Sequence, residues 1–374
     1  MIVMKLWVLP DDGLAPLLKA IDSAQSSIDI LIFRFDRKDV EAALARAVGR
    51  GVAIRALVAH ANKAGEDGLR QLEQRLLAAG VSVARTADDL VRYHGKLMIV
   101  DRRQLYLFAF NFTMLDTERT RSFGIVTSNR TLVQETGKLF DADTKRLPYM
   151  PRARSLVVSP ANARKRLAAF IRGAKSEILI YDPAVSDPTM IRFLEERAKA
   201  GVTVRIIGRL ARRNPKLEVH KLAKLRLHTR TIIRDGKHAF IGSQSLRAAE
   251  LDARREVGVI FSDRRIVPSL MKVFREDWQL AETTRAQART EERAPAEKVA
   301  KKLAKAVAKE LPPIAPVLEE LIKQMGVEKT ELDLTPGEVE ASVKDAVKAA
   351  VKEVVQEAVE SVTEEKKEKE SDAA

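Results

Sequence analysis

The chain has 374 residues, of which 45% are hydrophobic, so it is long enough for one large domain or for two ordinary domains with extensions. It has no cysteine, which excludes disulfide bonds and thiolate metal sites, and no run of about 18 apolar residues that would predict a membrane-spanning helix. The formal net charge of +14 is unevenly distributed, because residues 1–280 carry 50 Lys and Arg against 31 Asp and Glu, whereas residues 281–374 carry 16 against 21.

The positive charge of residues 1–280 suits a polyanionic partner, either nucleic acid or an anionic membrane surface. The arginines are scattered along the sequence, so an arginine-rich soluble protein fits the composition equally well. The short apolar run at the N-terminus is broken by Pro10 and Asp11 and lacks the length and cleavage site of a signal peptide. We therefore expect a cytoplasmic protein, with a peripheral position at the membrane as a variant of that expectation.

The first half of the chain alternates helices and strands. Apolar spacing predicts an amphipathic helix over residues 14–24, a buried strand over 28–33, a helix over 40–51 that a glycine ends, and a strand over 53–59. Leucines with helical spacing predict a further helix within residues 61–80. Strands that alternate with helices favour a layered α/β fold.

Each half of the chain then contains a predicted hairpin. The predicted strands cover residues 96–100 and 105–110 in the first hairpin and residues 227–233 and 238–241 in the second. The first pair of strands flanks a polar turn that begins at Asp101. The second pair flanks Asp235 and Gly236, a dipeptide typical of tight hairpin turns.

A duplicated motif lies at the start of each hairpin. The two copies are His94-Gly95-Lys96 followed by Asp101, and His228-Thr229-Arg230 followed by Asp235. Both read histidine, any residue, a cation, four residues, aspartate, and they are 134 positions apart (94 to 228). Because the chain has only five histidines, two in matching frames indicate an internal duplication over residues 1–280. On a strand, each histidine would share one face with its cation.

Two histidines with flanking cations suit the cleavage of a phosphodiester. A neutral imidazole can attack phosphorus and form a phosphohistidine, while a second, protonated imidazole gives its proton to the leaving alkoxide. The ordinary pKa of histidine, about 6.5, allows one neutral and one charged ring near neutral pH. The flanking cations stabilise charge on the nonbridging oxygens in the transition state. This chemistry requires neither a metal nor another cofactor, and we expect none.

The motifs resemble those of the phospholipase D superfamily, the HKD enzymes, over residues 1–280. The matching residues are His94, Lys96, Asp101 and Asn111 in the first copy and His228, Asp235, Gly242 and Ser243 in the second. The departures are Phe108 and Ala109 in place of Gly-Ser, Arg230 in place of lysine, and Ser245 in place of asparagine. Neither copy is complete, so the resemblance implies one composite site to which each half contributes.

The resemblance implies a role for each candidate residue. It makes His94 the nucleophile and His228 the general acid and base, although the residues alone leave the two roles interchangeable. Lys96, Arg230, Asn111 and Ser243 are the implied phosphate-binding groups. Glu256 occupies the place of an acid that orients the histidine, and we expect it beside His228. The aligned position in the first half is Ser122, with Asp116 or Glu118 as possible substitutes. Asp101 and Asp235 are expected to stabilise the turns rather than to take part in the reaction.

The implied fold is α/β, with two tandem phospholipase D-like repeats over residues 1–150 and 151–281. Each repeat is expected to be a mixed β-sheet flanked by helices. Residues 282–374 are expected to form a charged linker, an amphipathic helical tail and a disordered tip. A capping box at residues 335–338 predicts the start of the longest tail helix, which would end near residue 363. The tail is a candidate for self-association or partner binding; its mainly Val and Ala stripe makes membrane binding the weaker alternative.

Three functions remain open at this stage. The first is hydrolysis or transphosphatidylation of phospholipids through a phosphohistidine. Many bacterial relatives with this layout are cardiolipin synthases that carry N-terminal membrane spans, so their lack here favours a soluble or peripheral phospholipase-like protein. The second is a metal-independent nuclease that acts on DNA or RNA. The third is a catalytically weak relative that serves as an interaction protein, since the second motif has Arg230 and the first has lost Gly-Ser.

Overall fold

The structure is a computed structural model that describes residues 4–60, 67–212, 214–291, 344–347 and 350. The chain divides into two compact units, residues 1–283 and 284–374. Within the second unit, residues 284–291, 344–347 and 350 are helical. Most of the predicted tail, including the capping box at 335–338, lies outside the described residues.

The first half of the larger unit contains eight strands and five helices among the described residues. The strands are β1 (Met4–Leu9), β2 (Ser27–Ile32), β3 (Ala53–Val58), β4 (Ser82–Arg85), β5 (Arg92–Tyr93), β6 (Leu97–Val100), β7 (Gln104–Phe108) and β8 (Thr120–Thr127). The helices are α1 (Ala15–Asp22), α2 (Lys38–Gly49), α3 (Asp67–Ala78), α4 (Met114–Glu118) and α5 (Arg130–Thr144). Seven of the strands form a mixed sheet in the order β1-β8-β7-β6-β2-β3-β4.

The second half repeats this plan. Its strands are β9 (Leu156–Val158), β10 (Glu177–Val185), β11 (Thr203–Leu210), β12 (Glu218–His220), β13 (Arg226–Leu227), β14 (Arg230–Arg234), β15 (His238–Gly242), β16 (Arg254–Arg255) and β17 (Val257–Phe261). Its helices are α6 (Ala163–Arg172), α7 (Pro188–Lys199), α8 (Ala248–Asp252) and α9 (Ile266–Glu291). The sheet order is β12-β11-β10-β14-β15-β17-β9, and the expected α/β fold with two tandem repeats is confirmed.

Alternation along the central strands creates one shared core and two outer cores. In β6, Leu97 and Ile99 belong to the shared core, whereas Met98 and Val100 belong to the outer core of the first half. The shared core also takes Tyr181 and other apolar residues from the second half, so both sheets bury one face against common side chains. Burial of this face is the main stabilisation of the contact between the repeats.

Two short parallel pairings join the halves at the site. Strand β5 pairs with β16, placing Arg92 opposite Arg254 and Tyr93 opposite Arg255. Strand β13 pairs with the start of β8, placing Leu227 opposite Arg121. Each pairing ends immediately before a motif histidine. The two strand pairings that connect the halves therefore also bring the two motifs together.

The predicted elements of the first half agree with the structure to within a few residues at each end. The expectation that a charged linker begins at residue 282 was wrong for residues 282–291, which continue helix α9. Alanine, glutamate and arginine in this stretch favour a helix, and the Trp278 indole donates to Glu282 one turn away, 2.8 Å. In the described part of the chain, no helix has the length and apolar character needed to cross a membrane.

Candidate active site

The two histidines lie just before the hairpin strands, not on them. His94, Gly95 and Lys96 fill the segment between β5 and β6, and His228 lies between β13 and β14. The predicted strand over residues 227–233 is therefore interrupted, and only Arg230 of this motif belongs to a strand. The reason is tertiary, because the main-chain N–H of each histidine donates to a carbonyl of the opposite half.

The turn aspartates face away from this segment and bind main chain. Asp101 accepts from the N–H groups of Gln25, Ser26 and Ser27 at 2.7–3.1 Å, and Asp235 accepts in the same way at the start of β10. Both residues have a φ near +50°, a conformation that aspartate tolerates. Their contacts are those of turn-stabilising residues.

The His94 ring is buried and held on both nitrogens. Its Nδ1 lies 2.9 and 3.1 Å from the two carboxylate oxygens of Glu256, and the Lys96 ammonium lies 3.0 Å from Nε2. Burial and then the charge of Lys96 hold the pKa of His94 well below its usual value, so the ring is neutral at pH 7. A neutral ring between a carboxylate and an ammonium carries its proton on Nδ1 and its lone pair on Nε2.

The expectation that Glu256 lies beside His228 was wrong. Glu256 follows β16, which pairs with the strand that leads into His94, so the carboxylate reaches the histidine of the opposite half. Burial raises the pKa of Glu256, with Lys96 and the Ser243 hydroxyl acting against it. Distance along the sequence did not reveal this pairing because the two sheets exchange segments at the site.

Asp116 is the carboxylate that faces His228. Its Oδ2 lies 3.4 Å from His228 Nδ1, without the geometry of a hydrogen bond. The same oxygen accepts at 2.8 Å from both the main-chain and the side-chain nitrogen of Asn111, while Arg226 donates to Oδ1 at 2.7 Å. Burial acts to raise the pKa of Asp116, but His228 and Asn111 outweigh it and the pKa lies below its usual value.

The other candidates for this orienting role lie elsewhere. Ser122 is buried, and its hydroxyl makes no hydrogen bond within the described residues. Glu118 binds Arg37 at 2.9 Å on the surface. Asp116 could have been identified from its spacing, since it lies five residues after Asn111, as Glu250 lies five residues after Ser245, and each carboxylate accepts from that residue's main-chain N–H.

The two motif cations make equivalent contacts. Lys96 donates to the carbonyl of its own histidine at 2.8 Å, and Arg230 donates to the carbonyl of His228 at 2.6 Å. Arg230 also donates to Ser245 Oγ at 3.2 Å. Burial lowers the pKa of Lys96 to about 7, whereas an arginine keeps its charge. Arginine thus replaces lysine without loss of this anchoring contact.

The remaining motif residues divide between polar support and packing. Asn111 holds Asp116, and Ser243 exchanges hydrogen bonds with the main chain of Val257 at 3.0 and 3.3 Å. Phe108, which replaces the glycine of the resembling family in the first copy, packs against Phe110 and Phe112 with ring centroids 5.1 Å apart. In this half an aromatic core therefore occupies the space beside the hairpin.

The charges of the two motifs affect the pKa of both histidines. Burial is the main cause that lowers the pKa of His228 well below its usual value, followed by the charge of Arg230, and Lys96 also contributes. Arg230 in turn lowers the pKa of His94. The charge of each motif cation thus acts on the histidine of the other copy.

A cavity of about 530 Å³ opens beside the second motif. Its lining includes His228, Arg230, Arg209, Lys221 and the apolar side chains of Leu222 and Leu225. It therefore joins basic and apolar surface at the histidine. Among the residues that the structure describes, no cluster of three or more His, Asp or Glu side chains is arranged to hold a metal ion.

Comparison with known proteins identifies the family. Residues 17–144 and 167–278 match the model of the family described as "Cardiolipin synthase, PLD-like domain". The two matched segments cover one repeat each and together more than half of the chain, so the protein belongs to this family of phospholipase D-like domains. No curated protein matches the sequence.

Solved structures share the fold at low sequence identity. Polyphosphate kinase from Porphyromonas gingivalis aligns over 73% of this chain and 50% of its own, with 18% identity and a TM-score of 0.61. Phosphatidylserine synthase from Haemophilus influenzae Rd KW20 aligns over 74% and 86%, with 9% identity and a TM-score of 0.57. Nuc, a phospholipase D family member from Salmonella typhimurium, covers 38% of this chain with 23% identity and a TM-score of 0.34. The chain spans half the length of the polyphosphate kinase, and the likenesses to the kinase and the synthase show the fold.

Proposed function

We propose that the protein is a phospholipase D-type phosphodiesterase that hydrolyses phospholipids or transfers their phosphatidyl group through a phosphohistidine at His94. The observation that carries the proposal is the fixed state of His94. Glu256 holds Nδ1 at 2.9 Å, which leaves the Nε2 lone pair available for attack. His228 is held by a weaker contact and is proposed as the general acid and base.

The proposed reaction has two displacements. The phosphodiester binds between Lys96 and Arg230, and Lys96 turns from His94 Nε2 to a nonbridging oxygen. Nε2 attacks phosphorus, a P–N bond forms, and the P–O bond to the leaving alcohol breaks as His228 supplies its proton. His228 then removes a proton from water or from an acceptor alcohol, whose oxygen attacks phosphorus and releases His94.

In this scheme, binding of the anionic substrate favours the protonated form of His228. In the free protein, burial and Arg230 hold the pKa of His228 well below its usual value, which disfavours the protonated acid. A phosphodiester placed among the same cations contributes a negative charge and raises that pKa. The acid is therefore formed when substrate is present, and the site is poised for an anionic ligand.

The mixed surface of the cavity supports a phospholipid substrate. Arg209 and Lys221 offer charge to an anionic head group, while Leu222 and Leu225 offer apolar contact. The positive charge of residues 1–280 favours a peripheral position at an anionic membrane, where such a substrate is found. The same basic surface supports the second candidate, a nuclease that acts without metal on DNA or RNA.

The decisive experiment offers both substrates to the full chain in EDTA. Vesicles of phosphatidylglycerol and phosphatidylcholine with ethanol should yield phosphatidylethanol, and His94→Gln should abolish the product. Plasmid DNA and single-stranded RNA form the second arm, and their cleavage without phosphatidylethanol would support the nuclease. If wild type and His228→Gln are equally inactive in both arms, the catalytic proposal fails and an interaction role replaces it.

The nucleophile is tested separately by trapping the intermediate. A phosphoenzyme that survives alkali and is hydrolysed by acid is expected in the wild type, because phosphohistidine has this stability. Its persistence in His94→Gln and loss in His228→Gln would reverse the two roles.

A further inference from the structure

One arginine connects each catalytic histidine to the opposite half of the chain. Arg255 and Arg121 are 134 positions apart, the same interval that separates the two histidines. The Arg255 carbonyl accepts from the His94 N–H at 2.7 Å, and the Arg121 carbonyl accepts from the His228 N–H at 3.2 Å. Each arginine therefore holds the main chain of the histidine that belongs to the other repeat.

The side chain of each arginine reaches an aspartate in the same repeat as the histidine that it holds. Arg255 Nε lies 3.1 Å from Asp143 Oδ1 on α5, and Arg121 Nε lies 2.9 Å from Asp277 Oδ2 on α9. The two aspartates are again 134 positions apart, and all four side chains are buried. The carbonyl of each arginine thus binds the histidine segment of the opposite repeat, and its guanidinium binds a helix of that same repeat.

We propose that Arg255–Asp143 and Arg121–Asp277 are positioning pairs, each of which sets the location of one catalytic histidine. The inference rests on the proposed function. A buried ion pair loses much of its Coulombic gain to desolvation, and an apolar pair of similar volume is often as stable. The specific contribution of such a pair is geometric. Here it fixes the register of β5 on β16 and of β13 on β8, one residue before each histidine.

The two pairs differ in strength. Arg121 makes two hydrogen bonds to Asp277, at 2.9 and 3.2 Å, and the Tyr181 hydroxyl adds a third at 2.7 Å. Arg255 makes one close contact with Asp143 that lacks hydrogen-bond alignment, and it also donates to the Ser159 carbonyl at 3.1 Å. The pair beside His94 therefore depends on fewer contacts.

The test replaces both residues of a pair in one variant, so that no buried charge is left without its partner. The double variants are R255M/D143L and R121M/D277N, where the asparagine keeps an acceptor for Tyr181. For bis-p-nitrophenyl phosphate, R255M/D143L is expected to lower kcat about 10- to 100-fold with KM changed less than about threefold, as for a displaced reacting group. For the R121M/D277N variant, kcat is measured and compared with that of the wild type on a phospholipid, because the alkoxide leaving group of this substrate requires the proton of His228.

A second readout separates positioning from general loosening of the fold. Histidine 15N chemical shifts report the tautomer and pKa of each ring, with assignment by His94→Gln and His228→Gln. R255M/D143L should move the His94 signals and leave those of His228, and R121M/D277N should do the converse. The matched control is R55M/D29L, a 2.6 Å ion pair between β3 and β2 that contacts neither histidine and should leave activity and both sets of signals unchanged.

The outcomes distinguish this proposal from the proposed function. If wild type turns over no phosphodiester but the histidine signals shift selectively, the positioning role stands and the proposed activity fails. If wild type is active and R255M/D143L keeps full kcat with unchanged His94 signals, the positioning role is refuted. Signals of both histidines that move together in either variant would also refute it, since they would indicate a general structural effect.

Discussion

The two copies of the motif differ in how firmly they hold their histidines. His94 is fixed between two carboxylate oxygens of Glu256 and the ammonium of Lys96. His228 faces one oxygen of Asp116 at 3.4 Å, and that oxygen is already engaged by Asn111. A nucleophile needs a directed lone pair, whereas an acid and base exchanges its proton during the reaction. The two environments of the histidines thus match the two roles that we propose for them.

The cations differ in a complementary way. Lys96 is buried with a pKa of about 7, and the second copy has an arginine at the equivalent position. The cation of the first copy can therefore lose its charge near neutral pH, whereas arginine side chains in general do not titrate in this range. A comparison of the two copies by mutation tests whether this difference has functional consequences.

The largest expected effect is the loss of the nucleophile. His94→Gln should lower kcat about 10⁴-fold or more, since the proposed nucleophile has no substitute in the site. His228→Gln should be equally severe on phospholipids. On a p-nitrophenyl ester, whose leaving group needs no proton, it should spare the first displacement, seen as a burst of p-nitrophenol, and slow the second, in which His228 acts as the base.

His238→Gln is the matched control for both variants, because His238 lies on the surface with its Nδ1 2.6 Å from Ser262. It should retain full activity. Loss of the p-nitrophenol burst in both His94→Gln and His228→Gln would contradict the division of roles.

The next largest losses of kcat are expected at the two carboxylates that face the histidines. Glu256→Gln should lower kcat about 10³-fold, because the amide no longer fixes the Nδ1–H tautomer of His94. Asp116→Asn should lower it about tenfold, since its contact with His228 lacks hydrogen-bond geometry. Steady-state kinetics on phospholipid vesicles measures both, and the reverse order of the two losses would break the comparison.

A smaller effect is expected in the pH dependence. Burial holds the pKa of His94 well below its usual value, so with bis-p-nitrophenyl phosphate we expect the titration of Lys96 to control kcat/KM. Protonated Lys96 binds phosphate, and therefore kcat/KM should fall as pH rises through about 7, its pKa.

Lys96→Arg should remove this alkaline decline, because arginine keeps its proton, with an absolute rate about tenfold lower from altered geometry. Arg230→Lys gives the opposite test and should steepen the decline. Unchanged pH profiles in both variants would show that the cations do not control the rate through their charge.

The smallest effect on activity is expected at the turn aspartates, where the two halves are alike. Asp101→Asn and Asp235→Asn should each lower the free energy of unfolding by about 1 kcal/mol, measured by urea denaturation, through loss of charge-assisted hydrogen bonds. Their kcat should change less than about twofold.

The pH dependence of stability supplies a check on this prediction. Partial burial acts to raise the pKa of Asp101, but main-chain donors such as Ser27 outweigh it and the pKa lies below the ordinary aspartate value of 3.8. The stabilisation is therefore present above pH 3.8 and lost as pH falls through the lower folded pKa. Equal stability of wild type and variants above that range would contradict the structural role.

The motifs and the repeat were predictable because they depend on local pattern. Apolar alternation and turn residues gave the hairpins, and the fixed interval between His94 and His228 revealed the duplication. The histidine partners were not predictable in the same way. Glu256 was expected beside His228, while Asp116 was only one of two alternatives for the first half.

The sequence by itself determined the α/β repeats, the phosphodiester-type pair of histidines and the turn role of Asp101 and Asp235. These follow from periodicity and from spacing within a single hairpin. Only the tertiary structure decided that Glu256 serves His94 and that each histidine is anchored by an arginine carbonyl of the opposite half. Those contacts join residues more than 100 positions apart, and they arise because two sheets with a common core exchange short strands at their junction.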